Sequence, residues 1–312
     1  MSSAGPETVP RADSYYGRGV IKAPVWTKEI PCYFFIGGLA GASGTFAFLS
    51  ERRHPRLARR AWLTSLAGLV VSPALLISDL GRPARFLNML RMFKITSPMS
   101  VGSWVLAGSG AATAGVGLQL LSGRFRWLAR VCRPIAGTLG LPLATYTGAL
   151  LAQTAVPVWH EARRELPALF AAGAAASAGA AATVLAPIDE AAPARRLALV
   201  GAAAELALAK HMEDGLHELA GPYREGPAAA YSRAASALVS AGALIVAVPA
   251  RRSRPAAVAG GALLLAGAFC ARWSVFKAGF DSARDPGYTV GPQRRRVSGG
   301  RGHGASRHAP AA

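Results

Sequence analysis

The sequence predicts an all-α fold: a polytopic membrane helical bundle of eight transmembrane helices, with an interfacial amphipathic loop helix between helices 2 and 3. Three observations predict it. Of 312 residues, 52% are hydrophobic and 16% charged, short of the roughly 25% charged that soluble domains carry. The apolar residues gather into stretches of about 20, enough to cross a hydrocarbon core about 30 Å thick. The bases, 35 Lys and Arg against 16 Asp and Glu for a net charge of +19, sit between those stretches, where anionic headgroups and the positive-inside rule place them. That distribution argues against a nucleic-acid partner, which a soluble chain of this charge would suggest. Mean hydropathy is only +0.28 because Ala and Gly fill many spans, which implies close helix packing.

The elements follow in order. Residues 1 to 29 form a polar N-terminal segment without an apolar leader run, so the first apolar run is expected to stay as a helix. The membrane domain, 30 to 273, holds spans near 30 to 50, 61 to 78, 98 to 121, 135 to 157, 168 to 187, 197 to 219, 233 to 249 and 255 to 273. The sixth is the least apolar. Between the second and third, DLGRPARFLNMLRMFKITS (79 to 97) is too polar for a span and too long for a turn. Phe86, Leu87, Leu90 and Phe93 recur there at helical spacing among Arg91 and Lys94, the pattern of a helix lying in the interface. From 274 to 312 the chain turns basic and rich in Gly, Arg and Ser, the composition of a disordered tail.

Eight spans put both termini on one side. The odd loops hold 14 Lys and Arg in 37 residues, against 11 in 71 for the N-terminal segment and even loops, so the odd set reads as cytoplasmic. Seven more bases in the tail weigh the other way, and orientation stays open.

Cys32, Cys132 and Cys270 lie far apart with no CxxC, which argues against an iron-sulfur cluster or zinc site in this chain. Haem would need histidines at depth, and only His211, His217 and His160 come near. Gly37 and Gly41 in GGLAGASG follow no strand and read as helix packing.

The sixth span carries the most chemistry. ELALAKHMEDGLHE sets Glu205, Lys210, His211, Glu213, Asp214, His217 and Glu218 in one helix. Ionisable groups at membrane depth must be paired or wet. Lys210 and Asp214, like Glu213 and His217, stand four apart and share a face. The later charges are alternatively interfacial, but Glu205 and Lys210 lie about 12 and 20 Å into the span at 1.5 Å per residue. In the fourth span Tyr146, expected near mid-membrane, shares a face with Gln153. A buried phenol wants a partner, either a neighbouring helix or a ligand carbonyl. Trp159 and His160 end that span, Trp as an interfacial anchor.

SDLGRPARFLNMLRMFKITSPMSVGSW, with PVWTKEIPCYFFIGGLAG, YTGALLAQTAVPVWHEARRELPALF, LAGPYREG and SARDPGYT, resembles the NrfD-like family, the membrane subunits of polysulfide-reductase-type complexes. The resemblance covers all but the first 20 residues or so and the tail. It implies an eight-helix, quinone-reactive anchor with no redox centre of its own, a quinone-site subunit of a polysulfide reductase or formate dehydrogenase-like complex using menaquinone or ubiquinone. It also implies a ferredoxin-like four-cluster iron-sulfur partner subunit, a molybdopterin catalytic subunit beyond it, and a cell-membrane, multi-pass location. Beside the first helix the family's pocket has no residue-by-residue match, and Trp26, Glu29 and Tyr33 are the candidates. Tyr146, His211 and Asp214 are expected to serve the quinone headgroup on the side shared by the N-terminus and the even loops. Glu205 and Lys210 would form a proton path. Asp79, Arg82 and Arg85 would dock the iron-sulfur subunit. Two other classes stay open: a secondary transporter or proton channel using Glu205, Lys210 and Asp214 without electron transfer, and an inert anchor.

Overall fold

The computed structural model describes residues 21, 22, 24–80, 82 and 84–290; the first 20 residues and the greater part of the basic tail lie outside the described residues. Within them the chain is all-helical, with no strand. The helices are α1 (Glu29–Ser50), α2 (Pro55–Asp79), α3 (Ala84–Met89), α4 (Pro98–Ser122), α5 (Arg126–Ala152), α6 (Pro157–Glu161), α7 (Leu166–Leu185), α8 (Ala192–Leu216), α9 (Gly221–Arg224), α10 (Gly226–Ala247) and α11 (Arg254–Arg284).

Local chemistry sets the boundaries. Pro occupies the first turn of α2, α4 and α11, where a missing N–H costs nothing. Ser97 and Ser253 cap α4 and α11 by accepting from the N–H groups of Ser100 and Ala256. Gly123 ends α4 at φ 71°, a left-handed turn that suits glycine.

Seven helices, α1, α2, α4, α5, α7, α10 and α11, are long and apolar enough to cross a bilayer, and the chain is a multi-pass integral membrane protein. The sixth expected span is α8, a 25-residue helix whose charged residues keep it out of that set. Several helices outrun their apolar stretches: α5 begins at Arg126 and α11 continues to Arg284. Of the amphipathic helix expected across 79 to 97, the described residues show α3 after the end of α2 at Asp79, and residues 91–97 are not helical and leave Met92, Phe93 and Ile95 exposed.

The long helices form two groups of four, α1, α2, α4 and α5, then α7, α8, α10 and α11. Helix α7 lies between them, packing on α1, α5 and α2 of the first group as well as on α8 and α11. It is the most buried of the apolar helices, and more than half of its sequence LPALFAAGAAASAGAAATVL is Ala and Gly. Gly38 of α1 approaches Ala174, where an added Cβ would lie 3.4 Å from the alanine Cβ, and Gly201 of α8 lies against the Ala176 backbone. Such contacts bring helix axes together by removing side chains rather than interlocking them. The start of α1, the end of α2, α6, α9 and the end of α11 gather at one end, called here the N-terminal end.

Candidate functional site

Two polar constellations lie inside the bundle. The first is a pair of phenols. Tyr33 is in the second turn of α1, about 6 Å along the helix from Glu29, and Tyr146 is about 9 Å before the end of α5. Because α5 ends at Ala152 and not at 157, Tyr146 lies nearer the N-terminal end than its expected mid-membrane depth. The antiparallel packing of α1 on α5 brings the two hydroxyls into a hydrogen bond. Tyr33 is buried and Tyr146 half-buried. Gly102 of α4 lies flat against the Tyr146 ring, a space that a side chain would fill.

Aromatic rings wall this pair toward the N-terminal end. Trp26 stacks on Trp159 with centroids 5.7 Å apart and meets Phe34 edge-on at 6.5 Å. Trp159 is fixed by its indole N–H, which donates to the Val275 carbonyl at 2.8 Å. The segment before α1 is tied to the end of α2, where Asp79 Oδ1 accepts from both Thr27 N, at 3.0 Å, and Thr27 Oγ1. Of the candidates beside the first helix, Tyr33 and Trp26 thus meet Tyr146 and Trp159, while Glu29, half-buried, starts α1 beside Thr27. Asp79 is engaged within the chain. Arg82 and Arg85 are exposed.

The second constellation is a buried ion pair. Glu205 of α8 and Arg272 of α11 stand 4.0 Å apart, with side chains 4% and 2% exposed. Arg272 Nη2 donates to the Phe170 carbonyl at 2.8 Å, and its guanidinium lies 4.1 Å from the Phe170 ring centroid, a cation–π contact. Gly173, one turn further along α7, leaves room for both charged groups. Among the described residues neither carboxylate oxygen of Glu205 accepts a hydrogen bond, and Arg272 Nε and Nη1 have no hydrogen-bond partner. A cavity of about 40 Å³, large enough for water, lies beside Glu205 and is lined also by Met212, Glu213, Tyr223 and Ser232. Ser232 donates to Glu213 at 3.1 Å. Burial, aided by the negative charge of Glu213, pushes the Tyr223 phenol up, so this group stays a donor. Phe170 links the two constellations, since it meets Phe34 at 5.8 Å and Phe34 meets Tyr33 at 6.3 Å.

The structure does not bring the other α8 residues into either centre. Lys210 and Asp214 form an exposed i,i+4 pair at 3.6 Å, 80% and 63% exposed, and His211 and His217 are exposed. The buried stripe of α8 is Ala198, Ala202, Glu205, Met212 and Leu216. Sequence reasoning missed Arg272 and Tyr223. A signal for Arg272 was present: a lone arginine in the apolar stretch AFCARWSVF needs a buried partner, and Glu205 is the deep acid available to it.

Among the described residues no group of three or more His, Cys, Asp or Glu could hold a metal ion. Compared with known families, residues 13–284 match the model described as polysulfide reductase, of NrfD type. No curated protein matches the chain.

Proposed function

The chain belongs to the NrfD-type polysulfide reductase family, whose model spans most of its length, and we propose on that premise that it is the quinone-reactive membrane anchor of a multi-subunit oxidoreductase. In this reading it exchanges electrons between a ferredoxin-like iron-sulfur subunit and the membrane quinone pool, with a molybdopterin subunit beyond. Eight helices cross the membrane, α8 included, because it matches its neighbours in length and buries Glu205 against α11. The 79 to 97 segment lies in the interface and presents Arg82 and Arg85 to the iron-sulfur subunit, with Asp79 fixing its start.

One observation carries the proposal. Each phenol of the Tyr33–Tyr146 pair has one hydrogen, and whichever hydroxyl donates to its partner, the other keeps a hydrogen to give. A half-buried O–H donor set in an aromatic wall fits a flat carbonyl ligand. A quinone, when bound, accepts two electrons and two protons. Tyr146 would donate to its carbonyl oxygen, Tyr33 would orient Tyr146, and Trp26, Trp159 and Phe34 would exclude water. Glu205, held as a carboxylate by Arg272, would take up a proton in transit and pass it on. His211 and the Lys210–Asp214 pair, exposed near the C-terminal end of α8, would collect protons for it.

The test is quinone-coupled turnover of the assembled complex. Tyr146→Phe and Tyr33→Phe should each lower it about tenfold, or about 1.4 kcal/mol of barrier, while leaving assembly intact. Parental rates in both variants would move the site elsewhere.

A further inference from the structure

On the outer surface of the first group a groove of about 520 Å³ runs along α2, lined by Arg60, Leu63, Ala67 and Val71 with Leu39 of α1 and Leu185 of α7. Residues 60, 63, 67 and 71 recur every three to four positions, so they form one helix face. From Arg60 to Val71 that face is about 16 Å long at 1.5 Å per residue, close to the roughly 15 Å of one leaflet's hydrocarbon. The groove opens outward. Ala67 is exposed, and Val70, Val71 and Leu185 are 68%, 42% and 49% exposed on a surface that faces lipid.

Charge marks only one end of it. Arg60 stands in the second turn of α2, at the end opposite the tyrosines, and Arg56 stands one turn before it. Both reach Glu190, at 3.5 and 3.3 Å. Arg59, one turn above Leu63, is exposed and has no ion-pair partner among the described residues. Three guanidinium groups against one carboxylate leave an excess of positive charge where a headgroup phosphate sits, and the planar forks suit phosphate oxygens. A neutral lipid or an isoprenoid tail would fill the groove and leave that charge unanswered.

We propose that this groove is a binding site for one anionic phospholipid, with an acyl chain lying from Leu63 to Val71 and the phosphate held by Arg59 and Arg60. The occupant differs in chemistry and place from the quinone at the tyrosine pair, so the two sites fail or stand separately.

The purified chain in mild detergent is incubated with equal amounts of phosphatidylglycerol and phosphatidylcholine of identical chains, and retained lipid is counted by native mass spectrometry. The parent should hold one phosphatidylglycerol with a preference on the order of tenfold. Arg59→Gln, at an exposed and unpaired residue, should cut that preference severalfold, and Arg59→Gln with Arg60→Gln should abolish it. Ala67→Leu, which fills the groove from an exposed position, should lower retention of both lipids while the circular-dichroism melt stays parental. Equal retention of the two lipids by the parent, or undiminished phosphatidylglycerol on Ala67→Leu, would overturn the proposal. So would displacement of the bound phospholipid by added menaquinone.

Discussion

Replacing Glu205 by leucine leaves the Arg272 guanidinium 2% exposed with one carbonyl and one aromatic ring for company. At the observed 4.0 Å the charge–charge attraction is about 4 kcal/mol for an effective dielectric near 20. Removing one partner of such a pair costs about 3–5 kcal/mol, since the survivor stays desolvated without its counter-charge. Arg272→Met strands the carboxylate instead. It should cost less, because a carboxyl neutralises itself by taking up a proton and a guanidinium does not lose one. Glu205→Leu combined with Arg272→Met removes both charges while keeping apolar volume, and should lie within about 2 kcal/mol of the parent. The assay is unfolding of the purified chain in mixed micelles by rising dodecyl sulfate, followed by circular dichroism, across Glu205→Leu, Arg272→Met and their combination. The expected signature is a double variant more stable than the Glu205→Leu single. Single effects that add within about 0.5 kcal/mol would show that the groups are not coupled and refute the reasoning.

Asp79→Ala removes the acceptor of both Thr27 hydrogen bonds, about 1–3 kcal/mol of local hold, so trypsin should cut at Lys28 severalfold faster while the global melt is unchanged; parental cleavage would mean the segment is held by the Trp26–Trp159 stack alone. Arg82→Glu with Arg85→Glu reverses two exposed charges and should release the iron-sulfur partner in a pull-down, whereas full co-purification would remove this loop from the docking face.

The helices were legible because apolar stretches of about 20 residues leave few alternatives, and each long helix overlaps most of an expected run. Their ends were not. Hydropathy sees only the part of a helix in oil, so it missed the start of α5, where Arg133 leaves the apolar stretch to pair with Glu51 at 2.6 Å, and the extension of α11 beyond 273. The site was half legible. Tyr146 announced itself as a buried hydroxyl, but its partner lies 113 residues away on another helix, which spacing along one helix does not reveal. On α8, four-residue spacing rightly paired Lys210 with Asp214. It did not tell which face turns inward. The stripe through Ala198, Ala202, Glu205 and Met212 carries that information, since its alanines continue the small-residue packing that α7 requires and Lys210 falls off it.

Helix α7 is a shim. Along Ala174 and Ala176 it is little thicker than its own backbone, and that thickness together with the Phe170 ring sets the separation at which the phenol pair and the ion pair are held. A single added methylene at Ala174 or Ala176 would act on every layer of the stack at once, as an oversized washer does on a bolted joint. Mutational drift along α7 is thereby confined to Ala, Gly and Ser at those positions, and chemical novelty must enter through the helices that flank it.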